Sequence, residues 1–260
     1  EPFCTPEGQC QDTRPVPQGV EVSNTTPSSL GAVATLANVT VVAPLANGNL
    51  AADTCAAIAP GPQPHSNLNF AAGDTVANLV VSPSLGDGTG VSFCTYSTSE
   101  LQQIVDVQGF FAPAAAGGLA FTLTGPTRLA DTRQCWTDVA SKVETCQQLL
   151  PAEGLMHLKA PTGATAVVVN LTAVTPTAAG YVRAASCSSF EQEMAPGSNV
   201  NAMVGTAVAN LAVVDVDPDG TFCVYASSEM HVIVDLMGTF AANGASRFVL
   251  ITPDRVHDSR

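Results

Sequence analysis

The chain has 260 residues, 46% of them hydrophobic, which is enough for two domains that each bury a core and excludes a disordered polypeptide. With 9 basic residues against 22 acidic ones the net charge is -13, so a phosphate backbone or an anionic membrane would be repelled by most of this surface, and nucleic acid is excluded as a partner. Charged residues are only 12% of the chain, while Ala, Val, Thr, Ser, Asn, Gly and Pro crowd it, a composition suited to strands and turns.

In chain order, Cys4 and Cys10 come first, and the first clear strand is Ala34 to Val42, a β-branched run ended by Pro44. Asn47-Gly48 and Asp87-Gly88 are turn signals between short apolar runs. Residues 101–111 read as another strand, closing on a glycine and an aromatic. The polar motif of residues 126–133 follows, and then Cys135 and Cys146. Residues 138–150, with Thr137 as N-cap, are the one stretch that predicts a helix. Ala166 to Val174, ended by Pro176, and residues 230–240 are again strands, with Asp219-Gly220 marking a turn before the second of them.

The second half repeats the first in order. Asn38-Val39-Thr40 matches Asn170-Leu171-Thr172, Ser66-Asn67-Leu68-Asn69 matches Ser198-Asn199-Val200-Asn201, and Val76-Ala77-Asn78-Leu79 matches Val208-Ala209-Asn210-Leu211. Phe93-Cys94 matches Phe222-Cys223, Ile104-Val105-Asp106 matches Ile233-Val234-Asp235, and Pro126, Arg128, Asp131 and Arg133 match Pro253, Arg255, Asp258 and Arg260. The expected fold is all-β, two tandem antiparallel β-sandwich-like (jelly-roll-like) units stapled by disulfides, with residues 1–133 as the first and 134–260 as the second.

In these motifs the chain resembles a repeat domain of large secreted proteins of actinobacteria and related bacteria, whose pieces have the form A-V-V-V-N-L-T, S-N-x-N, A-N-L, I-V-D-x-x-G-x-F and P-x-R-x-x-D-[TS]-R. The resemblance covers both halves nearly end to end. It implies a surface location and a β-sandwich-like fold, and it brings no catalytic residues with it.

The eight cysteines are even in number and none lies in Cys-x-x-Cys spacing, so disulfides and an oxidising, extracellular location are expected. If pairing respects the repeat, Cys4–Cys10 and Cys135–Cys146 close small loops, while Cys55–Cys94 and Cys187–Cys223 tie distant strands. No apolar run reaches the roughly 18 residues of a membrane span. No charged-then-apolar export signal opens the chain, which reads as a mature form.

Enzyme signatures are missing: there is no His-Glu-x-x-His, Gly-x-Ser-x-Gly or phosphate-cradling loop, and the four histidines are not at matched positions. The chain is therefore expected not to be an enzyme and to need no cofactor. Asp215, Asp217 and Asp219 open like a calcium loop, but the twelfth position is Ala226 instead of a bidentate Glu. That predicts an acidic hairpin turn, with a weak calcium site as the alternative. Asp106 and Asp235, each in an apolar strand with no base fixed beside it in sequence, are expected to bond a nearby turn.

Asparagine is depleted in strands yet recurs at Asn67, Asn69 and Asn78 and again at Asn199, Asn201 and Asn210, where side-chain amides can satisfy backbone groups. Asn67, Asn69, Asn199 and Asn201 are also the candidates for holding a cell-wall glycan, although aromatics, the usual sugar platforms, are only 5% of the chain. Two functions are thus expected, an extracellular structural protein or a carbohydrate-binding adhesion module, the first being favoured. In the favoured reading copies of the chain join head to tail, because the motif before Cys135 recurs at residues 253–260 while Glu1 leads directly to Cys4. Residues 247–260 would then pack on the next copy through Phe248, Val249, Leu250 and Ile251, with Arg255 and Arg260 paired to carboxylates.

Overall fold

The structure is a computed structural model and describes residues 3–4, 10–11, 15–27, 32–58, 61, 63, 66–86, 90–112, 118–191 and 197–243. The expected self-assembly residues Phe248, Val249, Leu250, Ile251, Arg255 and Arg260 lie outside these.

Among the described residues the regular elements are strands, with one helical turn as the exception. The first half contains β1 (Phe3–Cys4), β2 (Cys10–Gln11), β3 (Glu21–Pro27), β4 (Ala34–Val42), β5 (Gly48–Asp53), β6 (Leu68–Phe70), β7 (Thr75–Pro83), β8 (Leu85–Gly86), β9 (Gly90–Ser97) and β10 (Gln102–Phe111). There follow β11 (Ala120–Asp131), β12 (Cys135–Thr137), β13 (Glu144–Cys146), β14 (Gly154–Lys159), β15 (Ala166–Val174) and β16 (Gly180–Ala185). A single helical turn, α1 (Ser188–Glu191), precedes β17 (Val200–Ala202), β18 (Ala207–Asp215), β19 (Thr221–Ala226) and β20 (His231–Ala241).

All pairings are antiparallel, and strands at matched sequence positions pair in the same order. One sheet runs β10-β4-β7 and its counterpart β20-β15-β18; the facing sheets run β3-β9-β5-β6 and β14-β19-β16-β17. Alternation along the strands decides which side chains go inside. On β15, Val167, Val169, Leu171 and Ala173 point into a core shared with Phe222 and Val224 of β19 and Met156 of β14. On β4, Ala37, Val39 and Val41 meet Leu50, Phe70 and Phe93 in the same way. Each fully buried Val, Leu or Phe contributes about 1.5–3 kcal/mol, so these two cores are the main source of stability.

Three disulfides follow the pairing expected from the repeat. Cys55–Cys94 and Cys187–Cys223 tie residues 39 and 36 positions apart, and Cys135–Cys146 staples the β12–β13 hairpin. Cys4 and Cys10 stand opposite each other in the β1–β2 pair.

Two expectations are corrected. Residues 138–150 are not helical. Cys135 to Thr137 pairs with Glu144 to Cys146, and Asp138 closes the intervening turn by accepting the N–H groups of Ala140 and Ser141 at 3.1 and 2.8 Å. The carboxylate that looked like part of a helix start holds a turn, because the disulfide fixes the two arms as a hairpin. A boundary after residue 133 also cuts through a sheet. β11 precedes that boundary, yet it is hydrogen-bonded to β20, and Ala130 is part of the second core.

Among the described residues, no helix is long and apolar enough to cross a membrane.

Candidate assembly interface

The motif Pro126 to Arg133 lies along β11, and the motif Ile233-Val234-Asp235-x-x-Gly238-x-Phe240 lies along β20, so their pairing brings the two most distinctive sequence signatures together. Asp131 is the centre of the arrangement. Only 2% exposed, it accepts the Arg133 backbone N–H and Nε through Oδ1 and the Arg133 Nη2 through Oδ2, at 2.8 to 3.0 Å. Arg128 Nη1 donates to the same Oδ2 at 2.5 Å. The hydrogen bonds from the Arg133 side chain hold the Asp131 carboxyl below the usual range, against the opposing effect of its burial.

Arg128 also reaches across the strand pair, donating from Nε to Asp235 Oδ1 at 2.5 Å. Asp235 was expected to bond a turn; its partner is instead an arginine 107 positions earlier. Two further contacts lock β11. Thr132 Oγ1 accepts the Val232 N–H at 3.0 Å, and the ring of Phe121 stands 5.1 Å from that of Phe240, covering Gly238 so closely that a side chain there would meet it.

β10 carries the same motif as β20 but not the same neighbour. Among the described residues it pairs in its sheet only with β4. At Gly109, the counterpart of Gly238, no described atom lies within 4 Å of where a side chain would begin. Asp106, the counterpart of Asp235, is half-buried and takes part in no ion pair among the described residues. Burial pushes its carboxyl up, and the charge of Arg183 only partly offsets that. Among the described residues, the β10 edge at Asp106 and Gly109 therefore matches the β20 edge at Asp235 and Gly238 but has no counterpart of β11 beside it.

No known protein-family model matches the chain, and no curated protein matches it in sequence. Among solved structures, the plant receptor-like kinase ANX1 aligns over 85% of this chain and 83% of its own at 8% identity and a TM-score of 0.24. YhhW from Escherichia coli aligns over 86% and 78% at 9% identity and a TM-score of 0.20. At these scores neither bears on the fold or the function of this chain.

The other candidates from the sequence have definite places. Asn67 Oδ1 accepts the Ala52 N–H and Asn199 Oδ1 the Ala184 N–H, both at 2.7 Å, so each amide continues a ladder beyond its last backbone pair. Asn78 Nδ2 donates to the Asn67 carbonyl at 2.6 Å and Asn210 Nδ2 to the Asn199 carbonyl at 2.7 Å. Asn69 and Asn201 each accept a serine hydroxyl three residues back, at 3.1 Å. The Ser-Asn-x-Asn and Ala-Asn-Leu motifs thus hold the short strands β6 and β17 to their sheets.

Asp215, Asp217 and Asp219 are not gathered around one point. Asp217 accepts the Ser188 hydroxyl at 2.6 Å, Asp219 accepts the Thr221 N–H at 2.9 Å, and Gly220 takes a φ of 84° in the turn between β18 and β19. Among the described residues, every group of three side chains close enough to share an ion includes both sulfurs of a disulfide, which are not free thiolates.

Proposed function

We propose that the chain is a secreted structural protein whose copies join head to tail, with residues 247–260 of one copy laid along β10 of the next. The observation behind this reading is the difference between two matched strand edges. β20 is completed by β11 through Phe121 over Gly238 and Arg128 on Asp235, and β10 offers Gly109 and Asp106 in the same places. Residues 247–260 repeat the β11 sequence, with Phe248 and Arg255 where β11 has Phe121 and Arg128. An added strand supplies backbone hydrogen bonds and covers an edge that would otherwise invite indiscriminate pairing. A contact of this kind between unlike surfaces propagates unless the rotation closes it, giving a filament or sheath. The three disulfides suit an oxidising extracellular setting.

The test is deletion of residues 247–260. Negative-stain microscopy and sedimentation of the purified chain should show filaments or oligomers, and the shortened chain should give folded monomers. Unchanged assembly after the deletion overturns the reading.

A further inference from the structure

The two halves meet through asparagines. Asn38 on β4 donates from Nδ2 to the Ser198 carbonyl at 2.7 Å and accepts Asn210 Nδ2 at 2.9 Å. Asn210 Oδ1 in turn accepts the Leu79 N–H at 3.0 Å, and Gln108 Oε1 accepts the Val213 N–H at 3.3 Å. The joint therefore seats the β17–β18 edge of the second half on the outer face of β4 and β7 in the first, with β7 lying against both strands. Asn38 is 1% exposed and Asn210 4%.

Each half carries both sides of this joint, but each uses only one. The outer face of the second half presents Asn170 and Leu211 where the first half presents Asn38 and Leu79. Asn170 is part-exposed, and its amide makes no hydrogen bond to any described residue; Leu211 is 36% exposed. The β6–β7 edge of the first half likewise presents Ser66, Asn69 and Asn78 where the second presents Ser198, Asn201 and Asn210. Ser66 and Asn69 are exposed and Asn78 is partly so, whereas the Asn201 Nδ2 atom is shut off from solvent. Among the described residues, one surface of each matched pair is covered inside the chain, and nothing is bonded to the Asn170 amide on its twin. The single departure is Met237, which stands where Gln108 contributes the fourth hydrogen bond.

We propose that the joint between the halves is repeated between copies: the outer face of β15 and β18 in one copy receives the β6–β7 edge of a second copy, with Asn170 bonded to the Ser66 carbonyl and to Asn78. This rests on the head-to-tail reading and adds a second surface to it. The chain's own internal interface is the template, and the occupant is another copy because Ser66 and Asn78 of this chain stand at the same spacing as Ser198 and Asn210, which fill the matching joint inside it. Burying Asn170 and Asn78 against each other satisfies amides that a foreign apolar partner would leave unpaired.

The test is sedimentation velocity over a range of concentrations on the wild-type chain and on Asn170→Arg and Leu211→Glu, each with its melting temperature. The expected result is that the variants melt with wild type and associate at least about tenfold more weakly, since loss of two buried hydrogen bonds exceeds the roughly 1.4 kcal/mol that corresponds to a factor of ten. If both assemble as wild type does, the joint is wrong while strand exchange along β10 stands. If the wild-type chain stays monomeric throughout, both are overturned.

Discussion

The ring of Phe121 lies against Gly238 so closely that no side chain fits at 238, whereas nothing described lies within 4 Å of the same point at Gly109. Opposite effects of one substitution follow. Gly238→Ala would force Phe121 and the Thr122 carbonyl away and should destabilise the fold by about 1–3 kcal/mol, the usual range for overpacking. Gly109→Ala should leave the unfolding free energy from urea titration unchanged or raise it by up to about 0.5–1 kcal/mol, because a strand interior favours alanine over glycine. It should also abolish assembly. Equal destabilisation by the two substitutions would contradict the free space at Gly109 among the described residues.

Asp106→Asn should raise the stability of the isolated chain and weaken its assembly. The sign comes from the raised pKa of Asp106, which burial causes: the folded state disfavours the charged carboxylate, so ionisation opposes folding at neutral pH. That penalty disappears as the pH falls through the raised folded-state value. The stability gap between Asp106→Asn and wild type should therefore narrow in acid, as urea titrations at neutral and acid pH would show. In the assembled state an arginine beside Asp106 favours its charge, so the same variant should dissociate at lower dilution.

Asp138 behaves in the opposite sense. Burial raises its pKa, but this is outweighed by hydrogen bonds from the backbone N–H groups of Ser141 and His157 and from their side chains, which bring it down to about 2. A depressed carboxyl stabilises the fold above its unfolded value near 3.9 and loses that contribution as pH falls through about 2. The contribution at neutral pH is roughly 2 kcal/mol. Asp138→Asn should lower the neutral-pH urea midpoint and flatten the fall in stability between about pH 4 and pH 2. An unchanged acid profile would count against the hydrogen-bond account.

The long disulfides should matter more than the short one. In the chain-entropy view, removing Cys187–Cys223, which spans 36 positions, costs about 4 kcal/mol, against about 3 kcal/mol for Cys135–Cys146 with a span of 11. Paired Cys→Ser variants followed by urea denaturation would give the order. The Cys187–Cys223 pair is also the one beside the second core, since Cys223 is fully buried on β19, and its loss should broaden the unfolding transition.

The all-β class, the order of matched strands and the partners of the six bridged cysteines were legible in the sequence. They depend on local properties, namely β-branched alternation, turn residues and a repeat that puts each cysteine at an equivalent place. The hairpin at 135–146 was misread because Asp138 after Thr137 suits a helix start as well as a turn, and only the closed Cys135–Cys146 arms remove the choice. Which half owns β11 was also beyond local reading. The strand adjoins both halves along the chain, and its place is set by Ala130 in the second core and by Arg128 reaching Asp235 across 107 positions. The asparagines show the same division. Their recurrence was visible in sequence, but the bonds of Asn67 and Asn199 within each half, and of Asn38 and Asn210 between halves, exist only once distant strands are packed against one another. Periodicity along the chain records which faces are apolar; the identity of what covers an edge or a face is decided by contacts between residues far apart in sequence, and these arise only in the folded protein.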